Sequence, residues 1–470
     1  MLPRLSVLML LVGVLGCSCG QAQTDTGTPE PKPAYTIQDE TPSTQPGPKQ
    51  AYTYPDTTPS LDFLTNSIEN SSITLGIATG FAYDSNGYPS TTTNSHQSRW
   101  LFNVDPSIRI QQFLPKFSWH ASYAGGLQIY DQISGPANAN QNLFSQAVGG
   151  GFIWQMARHW QLLGDESFRH SANPFDSYLA IPGAPTANNP NPVSYVPLTT
   201  FTQNNALLTL TNQITKRDTL SFTGTANLRQ TSTYNVLTSV PFYNLISYGG
   251  RANFAHQYSP RLTLGVGYDY NSLDFGHGQQ RSGIQTIQFT VDYLIRPNMT
   301  ITAWIGPQYT MTKTIVAIPI PTIPPILYYV TNHDSLWSTT VGGTFGWQSR
   351  RNSVRAEVSR SVSDGGGIIA TSIVNTVAGS YRRQIAPKWS GSLAARYLHS
   401  TSTLTSARSF HDFYVAVNID YQLNKSFLMS AIYARVNTTQ SNAFVINSGT
   451  YNDNRVGVNL SYSWTHPLGR

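Results

Sequence analysis

The side chains of this chain that could do chemistry are scattered, and no grouping of them completes a catalytic set. His399-Ser400 is the nearest approach to a nucleophile and its base. Such a pair needs a third group to orient the imidazole, and nothing nearby in sequence supplies one. His333-Asp334 falls in a long connection and reads as a solvated turn rather than the acid–histidine set of a protease. The 10 histidines show no metal-binding spacing such as a helical pair at i and i+4. Gly149-Gly150-Gly151 lacks the following helix that a phosphate loop requires, so those glycines permit strand bending or close packing. The sequence points away from an enzyme and calls for no cofactor.

The charges that recur do so in a different pattern. Arg109, Arg169, Arg229, Arg251, Arg355, Arg382, Arg396 and Arg435 fall on the polar side of alternating segments. So do Asp105, Asp165, Asp269, Asp292, Glu357, Asp412 and Asp420. Rows of both signs on one face of a sheet can pair across strands and stiffen it, as Arg355 with Glu357 or Arg109 with Asp105 could. In a water-filled interior they can also set a transverse field that selects passing solutes. The near balance of signs argues against a strongly anion-selective passage and against export of an acidic polysaccharide.

Positioning such rows needs long alternating strands, and composition agrees. Asp, Glu, Lys and Arg make up 11% of the chain, against roughly 25% in an average globular protein. Aromatics reach 12%, while mean hydropathy is −0.25. A barrel in lipid asks for this mixture, because apolar outward residues alternate with polar inward ones. From about residue 71 onward, segments of roughly 10–14 residues alternate with period two. Phe413, Val415, Val417, Ile419 and Tyr421 oppose Asp412, Asn418, Asp420 and Gln422. Ile287, Phe289, Val291 and Tyr293 oppose Gln288, Thr290 and Asp292, and Leu262, Leu264, Val266, Tyr268 and Tyr270 oppose Thr263, Gly265, Gly267 and Asp269. No later apolar run is long enough for a membrane helix.

The connections alternate between short and long. Short turns fall near 115–116, 158–159, 216–218, 260–261, 297–298, 350–352, 387–388 and 424–425. Longer connections lie near 84–97, 131–142, 171–202, 231–243, 274–282, 312–336, 362–371, 400–409 and 438–452. This predicts an all-β fold: a transmembrane antiparallel up-and-down barrel of about 18 strands (range roughly 16–20), with short periplasmic turns and long extracellular loops. Trp119, Trp160, Trp347 and Trp389 near the short turns, with Trp100 and Trp337 near long ones, are placed as two interfacial belts. The connection at 312–336 stands out, because 315–329 is apolar and broken by Pro319, Pro321, Pro324 and Pro325. Prolines oppose a regular strand there, and an apolar loop is expected to enter the lumen, cap it or pack on a neighbour. The proline-rich connection at 171–202 is a second lid candidate.

Upstream, residues 1–22 read as a signal peptide: Arg4, an apolar stretch at 5–15, then small residues, with cleavage expected after Ala22. Val14-Leu15-Gly16-Cys17 offers the alternative of lipoprotein processing at Cys17. Both cysteines, Cys17 and Cys19, lie in the leader, so the mature chain is expected to carry no disulfide. Residues 23–70 are rich in Pro and Thr and read as a disordered periplasmic segment. The barrel takes up 71–470. The formal charge of +6 is spread rather than clustered, so no nucleic-acid partner is expected.

At the C-terminus, Arg455, Gly457, Leu460 and Tyr462 occupy the pattern positions of a last-strand assembly signal. The segment resembles the signal by which bacterial outer-membrane barrels are recognised by their insertion machinery, although Thr465–Arg470 follow Trp464 where that signal ends on an aromatic. The alternating pattern of 71–470 is similar to that of porin-like outer-membrane barrels, and its strand number to that of maltoporin-type sugar channels and alginate-exporter-type barrels. The resemblance implies a Gram-negative outer-membrane channel for passive diffusion of small polar solutes, held in outer-membrane lipid. The other reading the sequence leaves open is a partner-dependent barrel with a plugged lumen, serving export, assembly or surface display.

Overall fold

The computed structural model describes residues 71–89, 96–130, 143–171, 199–233, 244–276, 278–320, 326–364, 371–403, 408–442 and 449–468. The leader at 1–22 and the segment at 23–70 lie outside the described residues, as does most of the 171–202 connection. The described residues form eighteen strands. In chain order these are β1 (Ser72–Pro89), β2 (His96–Phe113), β3 (Phe117–Tyr130), β4 (Leu143–Ala157), β5 (Trp160–Ser171) and β6 (Thr199–Gln213). Next come β7 (Asp218–Thr233), β8 (Leu245–Ser259), β9 (Leu262–Phe275), β10 (Gln280–Arg296), β11 (Met299–Ile320) and β12 (Ile326–Gln348). The last six are β13 (Asn352–Ser363), β14 (Ser372–Ala386), β15 (Trp389–Ser402), β16 (Arg408–Gln422), β17 (Phe427–Asn442) and β18 (Gly449–Pro467).

Each strand pairs antiparallel with its chain neighbours, and β18 pairs with β1 from Ser72↔Pro467 to Asp84↔Arg455. The sheet therefore closes on itself into a barrel, the condition under which strands can satisfy their backbone groups in hydrocarbon. All eight short connections fall where the sequence places them, as at 158–159, 297–298 and 387–388.

Period-two alternation decides the two faces. Leu75, Ile77, Phe81, Val266, Phe289, Val417, Ile419, Val456 and Leu460 are exposed on the convex side. Asp84, Gln280, Ser282, Asp412, Asp420 and Asp453 are buried on the concave one. Trp154, Trp160, Trp389 and Trp464 are exposed on the convex side near the short turns, and Trp100 and Trp337 near the other rim. Trp304 is an exception that its type does not announce. It faces inward, buried, against Gly342 on the next strand.

Pro106 and Pro307 sit where a strand has a partner on both sides, and one ladder is interrupted at each. The β2/β3 pairing runs Val104↔Leu127, then Ser107↔Ala124, skipping the positions facing Pro106. The β10/β11 pairing likewise skips from Thr286↔Gln308 to Phe289↔Ile305 beside Pro307. A proline nitrogen has no hydrogen to donate on that side, while pairing on its other side continues. Beside Pro307, Gly306 lies so close to the Ile287 carbonyl that an added Cβ would overlap it. Gly306→Ala is therefore expected to destabilise the barrel by about 1–3 kcal/mol, read as a lower urea midpoint for loss of the folded gel mobility. An unchanged midpoint would contradict this close approach.

The connection at 312–336 departs from expectation. Its described residues, 312–320 and 326–336, stay in the sheet, because β11 and β12 continue in register from Thr312↔Asp334 to Ile320↔Ile326. The reason lies in amide direction. Ile315 donates its backbone N–H to Gln279 on the β10 side, and β10 pairs with β11 no further than Gln280↔Thr314. Pro319 shares the parity of Ile315, so its nitrogen points to a side where none of the described strands pairs with it, and a proline costs the ladder nothing there. Pro321, Pro324 and Pro325 lie outside the described residues.

Candidate functional site: the inward face of the barrel

The strand registers place fourteen of the fifteen expected lumen charges on the concave face. Asp105 pairs opposite Ala78 and Arg109 opposite Thr74. Asp165 and Arg169 lie opposite Gly151 and Ala147, Arg229 opposite Gln203, and Arg251 opposite Asp269. Asp292 meets Thr302. Arg355 and Glu357 meet Gly346 and Thr344. Arg382 and Arg396 meet Ser392 and Ala378. Asp412 and Asp420 meet Thr438 and Ser430.

Arg435 is the correction. It pairs opposite Val415, a position on the lipid side of β16 between Phe413 and Val417, and it faces outward. In β17 the inward positions Ile432, Ala434 and Val436 are themselves apolar, so alternation within the strand is ambiguous and polarity alone misassigns it. The register with β16, whose outward row from Phe413 to Tyr421 is apolar and exposed or half-buried, settles the face.

Several of these groups meet as ion pairs, and three are buried. Arg455 grips Asp84 with two parallel hydrogen bonds, Nε to Oδ1 at 2.5 Å and Nη2 to Oδ2 at 2.8 Å, with both side chains at 2% exposure or less. This fork-to-carboxylate geometry is the strong form of the interaction, and it spans the seam where the last strand meets the first. Arg396 donates to Asp412 at 2.6 Å, and Thr438 donates to the other carboxylate oxygen at 2.9 Å. Arg251 approaches Asp269 at 3.6 Å and donates to Gln288 at 3.0 Å. His120 lies 3.9 Å from Asp165, over Gly151, where a Cβ would meet both side chains. That is what one glycine of the 149–151 run provides.

Asp105 accepts from Asn103. Glu357 is 1% exposed, and no hydrogen bond reaches either of its carboxylate oxygens. The pairing expected between Arg355 and Glu357 is thus not a hydrogen-bonded one.

The third buried pair involves a residue the sequence does not single out. Arg229 Nη1 lies 3.0 Å from Asp364 Oδ2, and Asp364 directly follows β13, six strands away from β7 around the wall. The end of β13 and the start of β14 bend inward. Val362 donates its N–H to Gln308 on β11 at 2.9 Å, and its side chain joins Leu245, Leu273, Phe275 and Ile284 in a buried apolar cluster. Thr371, just before β14, bonds Ser282 at 2.6 Å and accepts from Gln280 at 3.1 Å, both on β10. The anchors of this connection therefore run as a chord against the inner wall of β7–β11. Its type and length mark it in sequence as one more loop. Only the partners on distant strands reveal its path.

Across the described residues no group of three His, Cys, Asp or Glu could hold a metal ion. His399 and Ser400, adjacent in sequence, point to opposite faces of β15, His399 paired opposite His411 and Ser400 opposite Phe410.

No family model and no curated protein sequence matches the chain. Among solved structures it is similar to the outer membrane protein OpdK from Pseudomonas aeruginosa, at 11% identity over 85% of this chain and 100% of that one, with a TM-score of 0.40. It is similar also to OccAB2 from Acinetobacter baumannii, at 11% identity, 85% and 98% coverage and a TM-score of 0.41. The FrpB iron transporter from Neisseria meningitidis aligns at 10% identity, 86% and 83% coverage and a TM-score of 0.40.

Proposed function

We propose that the protein is an outer-membrane channel for passive diffusion of small polar solutes. The observation that carries this reading is the closed barrel of eighteen strands, apolar outside and charged inside. At this strand number side chains alone do not fill the interior, and a water-filled path results unless other segments occupy it. The inward-bent ends of β13 and β14, with Val362, Asp364 and Thr371 held on β7–β11, narrow that path from one side. Solutes then pass between them and the inward charges on the rest of the wall, Asp105 and Arg109 on β2 among them. Mixed charge suits polar or zwitterionic solutes better than a single ion class.

The leader at 1–22, with cleavage after Ala22, fits export across the inner membrane, lipidation at Cys17 being the other route. The short turns then face the periplasm. In β18 the assembly positions divide between the faces, Arg455 and Gly457 inward, Leu460 and Tyr462 outward. That leaves an apolar lipid-facing edge and a polar inner one for the insertion machinery to read.

Purified, folded protein added to a planar lipid bilayer is expected to give stepwise increases in conductance. Folded protein, shown by its shifted unheated gel mobility, that gives no steps at all would overturn the channel reading.

A further inference from the structure

The convex face carries a feature that solute passage does not use. On three adjacent strands the apolar band ends in an aromatic, and the next outward residue is basic or an imidazole. In β15, His399 follows Tyr397. In β16, His411 follows Phe413. In β17, Arg435 follows Tyr433. The two imidazoles stack, with centroids 4.2 Å apart, and the Tyr397 hydroxyl meets His411 Nδ1 at 2.9 Å. The pattern continues on β11–β13. Lys313 and His333 pair directly, two positions beyond the Met311↔Ser335 pair that follows the Tyr309–Trp337 aromatic contact, and Arg360 lies outward opposite Val341.

All six groups sit at the rim away from the short turns, and Lys313, His333, Arg360 and Arg435 are exposed. Among the described residues of β11–β17, no Asp or Glu shares this outward face. Glu357, Asp412 and Asp420 all point inward, and so does Asp334, opposite Thr312. A single-sign row just beyond an aromatic girdle lies at the depth of lipid headgroups. Long Lys and Arg side chains can reach that level while their stems stay on the apolar wall.

We propose that this rim of β11–β17 seats the phosphate groups of outer-leaflet lipids, with Lys313, Arg360 and Arg435 supplying charge and the three histidines further donors. The placement rests on the orientation proposed above, short turns inward to the periplasm. The ligand is fixed by charge complementarity, since an anionic, hydrogen-bond-accepting headgroup attached to an acyl chain satisfies the basic rim and the apolar band below it together.

The test uses the full-length barrel in a neutral detergent and counts bound lipid by native mass spectrometry. Dioleoylphosphatidic acid is expected to bind, and dioleoylglycerol, which lacks the phosphate, is not. Removing three cations in Lys313→Gln/Arg360→Gln/Arg435→Gln is expected to weaken phosphatidic acid binding on the order of a hundredfold, and inorganic phosphate is not expected to displace the lipid. Equal binding of dioleoylglycerol, undiminished binding by the triple variant, or displacement by inorganic phosphate at matching concentration would each overturn the proposal. Should the triple variant fail to fold, Arg435→Gln and Arg435→Lys decide the matter. Loss with Gln and recovery with Lys support the assignment, and equal binding by both refutes it. Because these residues lie outside the lumen, conductance is expected to be unchanged in all of them, so failure of lipid binding and failure of the channel reading are told apart.

Discussion

Arg455→Ala or Asp84→Ala is expected to cost the closed barrel about 3–5 kcal/mol, among the largest effects any single side chain here can have. Both partners are buried and joined by two short hydrogen bonds. Removing one leaves the other as an uncompensated buried charge, and the penalty comes mostly from that. The position adds to the effect. The pair lies on the β1/β18 seam, the pairing with the greatest separation in sequence. Beside it, Ser85 donates to Asp453 at 3.2 Å and accepts the backbone N–H of Asn454 at 2.9 Å. Two residues on, a Cβ added at Gly457 would come within 3.0 Å of the Ala82 Cβ, so glycine there lets the two strands lie close. The measurement is urea unfolding in detergent, followed by tryptophan fluorescence and by gel mobility without heating. The double variant Asp84→Ala/Arg455→Ala is expected to be less destabilised than the sum of the two single ones, since it leaves no orphan charge. Additive losses would show that the pair is not coupled and that the seam depends on its backbone ladder alone.

The second large effect concerns passage rather than stability. Arg229→Ala or Asp364→Ala is expected to release the chord at its charged anchor. Breaking a buried pair of this kind shifts the balance between docked and released states by about 3 kcal/mol, on the order of a hundredfold. The thread of Val362, Thr371, Gln280 and Ser282 contacts remains, so the segment stays tethered but moves. Single-channel recording is expected to show larger and noisier steps in either variant than in the parent protein, with the sheet itself intact by gel mobility. Arg251→Ala, whose Asp269 partner is on the adjacent strand, serves as the control for simple loss of an inward charge. If Arg251→Ala enlarges the steps as much as Arg229→Ala, the effect is one of wall charge and the chord does not narrow the path.

How much of this was legible beforehand differs from element to element. Where one face of a strand carries a long apolar run, as at 262–270 in β9, 287–295 in β10 and 413–421 in β16, sequence alternation alone separated lipid side from lumen side, because a one-residue slip would put every apolar side chain of the run in water. The eight short turns were legible for a related reason, since Pro, Asn, Lys and Arg interrupt the alternation at regular intervals. With them came the strand number and the inward placement of Arg109, Arg251, Arg355, Asp269, Asp412 and their neighbours. The seam residue Arg455 was visible as part of an assembly pattern, but its Asp84 partner, 371 positions away, was not.

Tertiary structure decided the rest, and in each case the deciding contact was with a strand far away in sequence or with an edge that sequence does not reveal. Arg435 is outward because β16 fixes the register of β17, whose own residues are apolar on both faces. The described residues 312–320 stay in the sheet because β10 ends beside them, leaving a side toward which the Pro319 nitrogen can point without breaking a bond. Trp304 turns inward because Gly342 on the next strand leaves room for its ring. The end of β13 and the start of β14 bend inward because Arg229, Gln280 and Ser282, brought together by barrel closure, offer Asp364 and Thr371 the partners that a loop in water would find in solvent. Alternation is a local property of the chain, and it determined the wall. What narrows the path through that wall depends on which distant residues closure sets side by side.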